Sequence, residues 1–132
     1  ESRFDPNARS AVEALGLFQI MPYTATALGP RSGLDHLSSE DFSEEQLILQ
    51  PSVNAALAAT LARDLFTMFD DALAPVIASY NAGEDRVAVW WTAASEVPED
   101  FFVDTIPYSE TRRFVREVLA NRVAYERVYG GQ

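Results

Sequence analysis

The chain has 132 residues, 48% of them hydrophobic, which is the size of one globular domain with a real core. Its formal net charge of -10 at pH 7 would repel a phosphate backbone, so nucleic acid is excluded as a natural partner. The absence of cysteine excludes disulfides and thiolate metal sites, and no apolar run approaches the roughly 20 residues of a transmembrane span.

The opening "ESRFDP" has no leading methionine and no signal peptide, and reads as a cut within a longer protein. Pro6, Asn7 and Ser10 then mark an irregular stretch. The run "LGLFQIMPYTA" from Leu15 to Ala25 sets an amide among apolar side chains. Read as extended, it places Leu17, Gln19 and Met21 on one face and Phe18 and Ile20 on the other. The mixed face suits a cleft wall. Equally, Gln19 could satisfy its amide on nearby backbone. Thr24 to Leu28 reads as one or two helical turns closed by Gly29-Pro30, and Ser43 with Gln46 has capping-box spacing for a short helix.

From Pro51 to Phe69 the residues Val53, Leu57, Leu61, Leu65 and Met68 recur at helical steps, with Pro51 suited to the first turn. A second, largely buried helix is expected from Ala72 to Tyr80, stopped by Asn81-Ala82-Gly83, and a third from Asp85 to Ala94. "SEVPEDFFVDTIPY" reads as a loop with aromatic anchors. Ser109 starts a long helix whose apolar face is Phe114, Val115, Val118, Leu119 and Val123, ending near Gly130-Gly131. The fold class is mainly α, with any sheet small. The lone histidine, His36, lies in a polar loop, which argues against a histidine triad or metal cluster.

Four ordered segments narrow this reading: "ESRFDPNARS", "GLFQIMPYTA", "ASYNAGEDRV" and "FVDTIPYSETRRFVREVL". Together they resemble the lytic transglycosylases with a soluble, SLT-type, goose-lysozyme-like catalytic domain, over nearly the whole length 1–132. The resemblance implies a lysozyme-like helical domain with a small β-hairpin beside a glycan-binding groove. It implies Glu1 of "ES" as the catalytic acid/base. Ser10, Gln19 and Met21 match groove residues flanking it, so Gln19 is expected to face the sugar chain. Tyr80 of "YNAG" matches a tyrosine that orients the acid or the substrate, and Asn81 its neighbouring amide. Asp104 stands where the family usually has Glu, another groove position.

The implied substrate is the peptidoglycan glycan strand, cleaved in the bacterial periplasm or envelope with no cofactor. The implied partner structure is a native upstream helix packed near Glu1. A hydrolytic muramidase on the same fold and a non-catalytic glycan-binding module are the competing readings. Five further positions depart from the family pattern. Glu13 replaces a usual glycine and Phe18 a usual methionine. Ser79 stands where alanine is common, and Leu57 and Thr60 replace Gly and Tyr. If the glycine position has positive φ, Glu13 implies a different local backbone.

Overall fold

Each long apolar-periodic segment is a helix in the computed structural model, which describes residues 2–130. In chain order these are α1 (Pro22–Leu28), α2 (Glu45–Ile48), α3 (Pro51–Met68), α4 (Leu73–Ala82), α5 (Glu84–Ala93), α6 (Glu99–Thr105) and α7 (Ser109–Tyr129). The chain divides into two units, residues 1–64 and 65–132. No helix of the described residues is long and apolar enough to cross a membrane.

In the first unit, Pro22 at the first position of α1 loses no intrahelical bond, and Met21 precedes it with extended backbone. Ala25 and Leu28 of α1 join Phe42, Ile48, Val53 and Leu57 in one buried cluster with Leu15 and Ile20. Gly29 is required there: a Cβ at this position would lie 2.2 Å from the Phe42 ring, so the backbone passes where no side chain fits. The Ser43–Gln46 capping box does not form. Ser43 instead donates its hydroxyl to the Glu40 carbonyl at 2.6 Å, and α2 starts from Glu44 without a side-chain cap. Asp41 closes the preceding turn by accepting from the Ser38 backbone N–H at 2.6 Å and the Ser38 hydroxyl at 2.8 Å. Those bonds, the backbone one first, hold its carboxyl below the usual range. This small contribution is therefore complete above the ordinary carboxylate pKa and is lost as pH falls through the lowered one.

The expected β-hairpin is not formed among the described residues. There are two isolated antiparallel bridges, Arg9 with Leu15 and Leu15 with Ile20. The backbone takes positive φ at Glu13 (68°), Gly16 (77°) and Gln19 (52°), turning too often to extend into strands. Glu13 thus keeps the left-handed conformation that a glycine would adopt freely.

In the second unit α4 packs against α5, α6 and α7. Ala74, Pro75, Val76, Ala78 and Ser79 are all buried, so the helix is apolar around most of its circumference and sits inside rather than on the surface. Gly83, at φ 87°, ends α4 and opens α5, its N–H donating to the Ser79 carbonyl at 2.8 Å. The segment read as a loop contains α6. Pro98 precedes the helix, Glu99 and Asp100 occupy its first turn, and Phe102 and Val103 are buried, with Trp91 edge-on to Phe102 at 4.9 Å. The aromatic anchors were legible; their 3.6-residue register, compressed into two turns, was not. Glu99 also accepts from the Ala74 N–H at 3.2 Å, capping α4 from outside because α4 has no side-chain cap of its own. On α7, Val115 is fully buried, but Val123 is 47% exposed, so the packed stripe stops short of its expected end.

Candidate active site

The candidate residues of the first unit lie on the turns around Leu15–Ile20. Leu15 and Ile20 exchange both backbone hydrogen bonds at 2.9 Å, which folds residues 16–19 into a tight loop. Leu17, Gln19 and Met21 therefore do not share the face that an extended reading gives them. Gln19 donates its amide to the Gly16 carbonyl at 2.9 Å and to the Ala8 carbonyl at 3.4 Å, tying the loop to the preceding segment. Ser10 does comparable work one turn earlier. Its hydroxyl accepts from Ala14 N–H at 2.9 Å and Val12 N–H at 3.2 Å. Ser2 donates its hydroxyl to the Leu17 carbonyl at 2.7 Å and fastens the chain start to the same loop. Met21 is half-buried at the head of α1.

One residue organises this loop from below. Asn54, fully buried on α3, accepts from the Phe18 N–H at 2.8 Å through Oδ1. Its Nδ2 donates to the Leu15 carbonyl at 2.9 Å and the Ile48 carbonyl at 3.0 Å. A Cβ on Gly16 would lie 2.6 Å from that Nδ2, so the glycine and the asparagine are fitted to each other. Sequence reasoning did not single out Asn54. The available signal was an amide on the apolar face of a helix, which must find partners to be tolerated.

In the second unit Tyr80 and Asn81 occupy the last turn of α4, both half-buried. Asn81 Oδ1 accepts from the hydroxyl of Thr111, a buried residue in the first turn of α7, at 2.8 Å. Thr111 escaped the sequence reading because its partner is 30 positions away. Asp104, at the end of α6, is exposed and pairs with Arg116 of α7. An exposed pair of this kind is worth roughly 0–1 kcal/mol, and the carboxylate remains in reach of solvent. Glu1, the expected acid/base, lies outside the described residues.

Directly before Tyr80, the hydroxyl of Ser79 is buried with no hydrogen-bond partner among the described residues. Replacing it with alanine removes an unsatisfied polar group and favours the helix, so Ser79→Ala should raise stability by about 1 kcal/mol. Denaturant unfolding checks this; a destabilised variant would show that the hydroxyl has a partner in solution.

The mainly helical fold agrees with the fold class that the four ordered motifs imply. The comparisons assign it more closely. The model of the transglycosylase SLT domain family matches residues 1–102, and the chain belongs to that family. It is 35% identical over 133 residues to the soluble lytic murein transglycosylase of Salmonella typhimurium, covering 100% of this chain and 20% of that protein. The membrane-bound lytic murein transglycosylase D of Escherichia coli is 34% identical over 122 residues, covering 91% of this chain and 25% of that protein. Among solved structures, an inactive mutant of the lytic transglycosylase Slt from Pseudomonas aeruginosa aligns with a TM-score of 0.84 at 32% identity, over 98% of this chain and 20% of that one. The 70 kDa soluble lytic transglycosylase of Escherichia coli aligns with a TM-score of 0.80 at 33% identity, again over 98% and 20%. The chain thus spans about a fifth of the length of the soluble relatives it matches.

Proposed function

We propose that residues 1–132 form the catalytic domain of a peptidoglycan lytic transglycosylase acting in the bacterial periplasm or cell envelope. The observation that carries this reading is the family match over residues 1–102, joined to a fold similarity of 0.84 at 32% identity. Relatives named as murein transglycosylases, both soluble and membrane-bound, support the substrate and the envelope location.

The reaction uses one carboxylic acid. Glu1 protonates the glycosidic oxygen between N-acetylmuramic acid and N-acetylglucosamine, and the C1–O bond breaks. The muramyl 2-acetamido carbonyl stabilises the cationic C1, in place of the protein nucleophile that most retaining glycosidases supply. The ionised Glu1 then takes the proton of the muramyl C6 hydroxyl, whose oxygen closes on C1 to give the 1,6-anhydro sugar. The proton returns to the enzyme and no water is consumed. Gln19 fits a groove position well, because its amide donors are held by backbone and its acceptor, Oε1, is the end that meets a sugar hydroxyl or amide. Asn81 is the mirror case: Thr111 occupies its oxygen, so its Nδ2 donors are the end directed to substrate. The family resemblance gives Tyr80 the role of orienting the acid or the sugar and makes Ser10, Met21 and Asp104 groove positions.

The products test the assignment. Muropeptides released from purified peptidoglycan should carry anhydro ends, one water lighter than hydrolytic products, and mass spectrometry of the digest reads the difference. Mainly reducing-end muramic acid would make the protein a muramidase instead, and no release would make it a binding module.

A further inference from the structure

The face that α7 buries does not end where its packing ends. Thr111 and Val115 are buried and Val118 is half-buried, at steps of three and four residues that keep them on one face. The same steps continue to Arg122, Tyr125 and Tyr129, yet every residue from Ala120 to Gly130 is exposed. Tyr125 is 66% and Tyr129 54% exposed, their rings paired at 4.5 Å, and Val123 and Val128 stand open beside them. This end of an amphipathic helix presents an apolar surface with nothing packed on it.

Where α7 leaves the second unit, a cavity of about 420 Å³ opens beside it. Leu73, Val103 and Leu119 form its apolar wall, and the carboxylates of Asp71, Glu99 and Asp100 form its rim. None of the three has an ion pair among the described residues; Arg122, at the edge, is paired with Glu126 of its own helix at 2.8 Å. The helix has the opposite sign. In a chain of net charge -10, α7 holds five of the ten arginines against three glutamates. Arg127, in its last turn, has no ion pair among the described residues and lies roughly 7 Å along the axis from Arg122. A basic, aromatic helix end and an acidic cavity with an apolar wall are therefore neighbours on one surface.

We infer that this surface pairs with a second copy of itself, two α7 helices running antiparallel about a twofold axis beside Ala124. Charge sets the register. In this arrangement Arg122 faces Glu126 of the second copy and Glu126 faces its Arg122, so two separate pairs become one network of four charges. Tyr129 then faces Leu119 of the second copy, which brings the ring to the apolar wall of that copy's cavity and Arg127 towards its rim. A parallel pairing would set Arg122 against Arg122 and Glu126 against Glu126, and would leave both cavities unfilled. One helix pair makes an interface smaller than the roughly 1,200–2,000 Å² of a standard one, so the dissociation constant should be on the order of 100 µM.

Sedimentation equilibrium of the unmodified chain, at about 0.15 M salt and up to about 1 mM protein, should show monomer in equilibrium with dimer. Tyr129→Ser should weaken association about tenfold without lowering the melting temperature, because the ring is exposed in the monomer. Arg122→Glu and Glu126→Arg should each weaken it about tenfold or more, since like charges then meet at two places across the axis. Mixed in equal amounts, these two variants should associate as well as the unmodified chain, because each supplies the charge the other lacks. A folding defect could not be repaired in that way. A dimer indifferent to Tyr129→Ser, or charge variants that do not recover on mixing, would overturn the pairing. So would an unmodified chain that stays monomeric at about 1 mM. If that monomer sediments with phosphatidylglycerol vesicles, the face belongs to an anionic lipid surface; if it does not, the face belongs to a different chain.

Discussion

Glu1→Gln should abolish glycan cleavage while leaving the fold and glycan binding in place. The amide has the shape of the carboxyl group but can neither deliver a proton to the glycosidic oxygen nor accept one from the C6 hydroxyl. General acid–base assistance is worth roughly 10²–10⁴-fold, and in the proposed mechanism one group serves both halves of the reaction, so the loss should reach at least the upper part of that range. An acid that must start protonated near neutral pH needs a raised pKa, which an apolar surround provides. Turbidity loss of purified peptidoglycan measures the rate, and circular dichroism with a thermal melt checks the fold. Cleavage within a few-fold of wild type would remove Glu1 from the mechanism.

Asn54→Ala should destabilise the protein by about 3–5 kcal/mol, a large part of the 5–15 kcal/mol available to an ordinary domain. The substitution removes the acceptor that the Phe18 N–H uses on α3 and one donor each from the Ile48 and Leu15 carbonyls. A buried polar group deprived of its bond costs roughly 1–3 kcal/mol each, and the missing side chain adds a cavity against Gly16. Because the loop it holds carries Gln19, glycan cleavage should fall as well, beyond what the lost stability explains. Asn54→Asp separates the contributions: it keeps an acceptor for Phe18 N–H but turns a carboxylate toward two carbonyl oxygens, so it should be no better than alanine. Urea unfolding reads both variants. A loss below 1 kcal/mol for Asn54→Ala would show that water or a neighbour takes over all three bonds.

Much of the molecule was legible before any coordinates. The apolar steps from Val53 to Leu65 set α3, Pro51 set its start, and Gly83 set the break between α4 and α5, because helix periodicity, a fixed φ and a freely rotating backbone are properties of the residues themselves. The four ordered motifs carried the family in the same way. What lay beyond the sequence depended on partners distant along the chain. The loop of residues 16–19 replaced an extended reading because Asn54, from α3, holds it by side-chain bonds that no local pattern encodes. Glu13 took a left-handed backbone where its own preference argued otherwise, since the bonds around Ser10 fix the turn and outweigh a strain of about 1–2 kcal/mol. The α6 helix emerged from an apparent loop once Phe102 and Val103 had a core to enter. Local residue chemistry determined where helices begin and end; tertiary contacts decided which polar groups are held, and by that which atoms remain to meet a substrate.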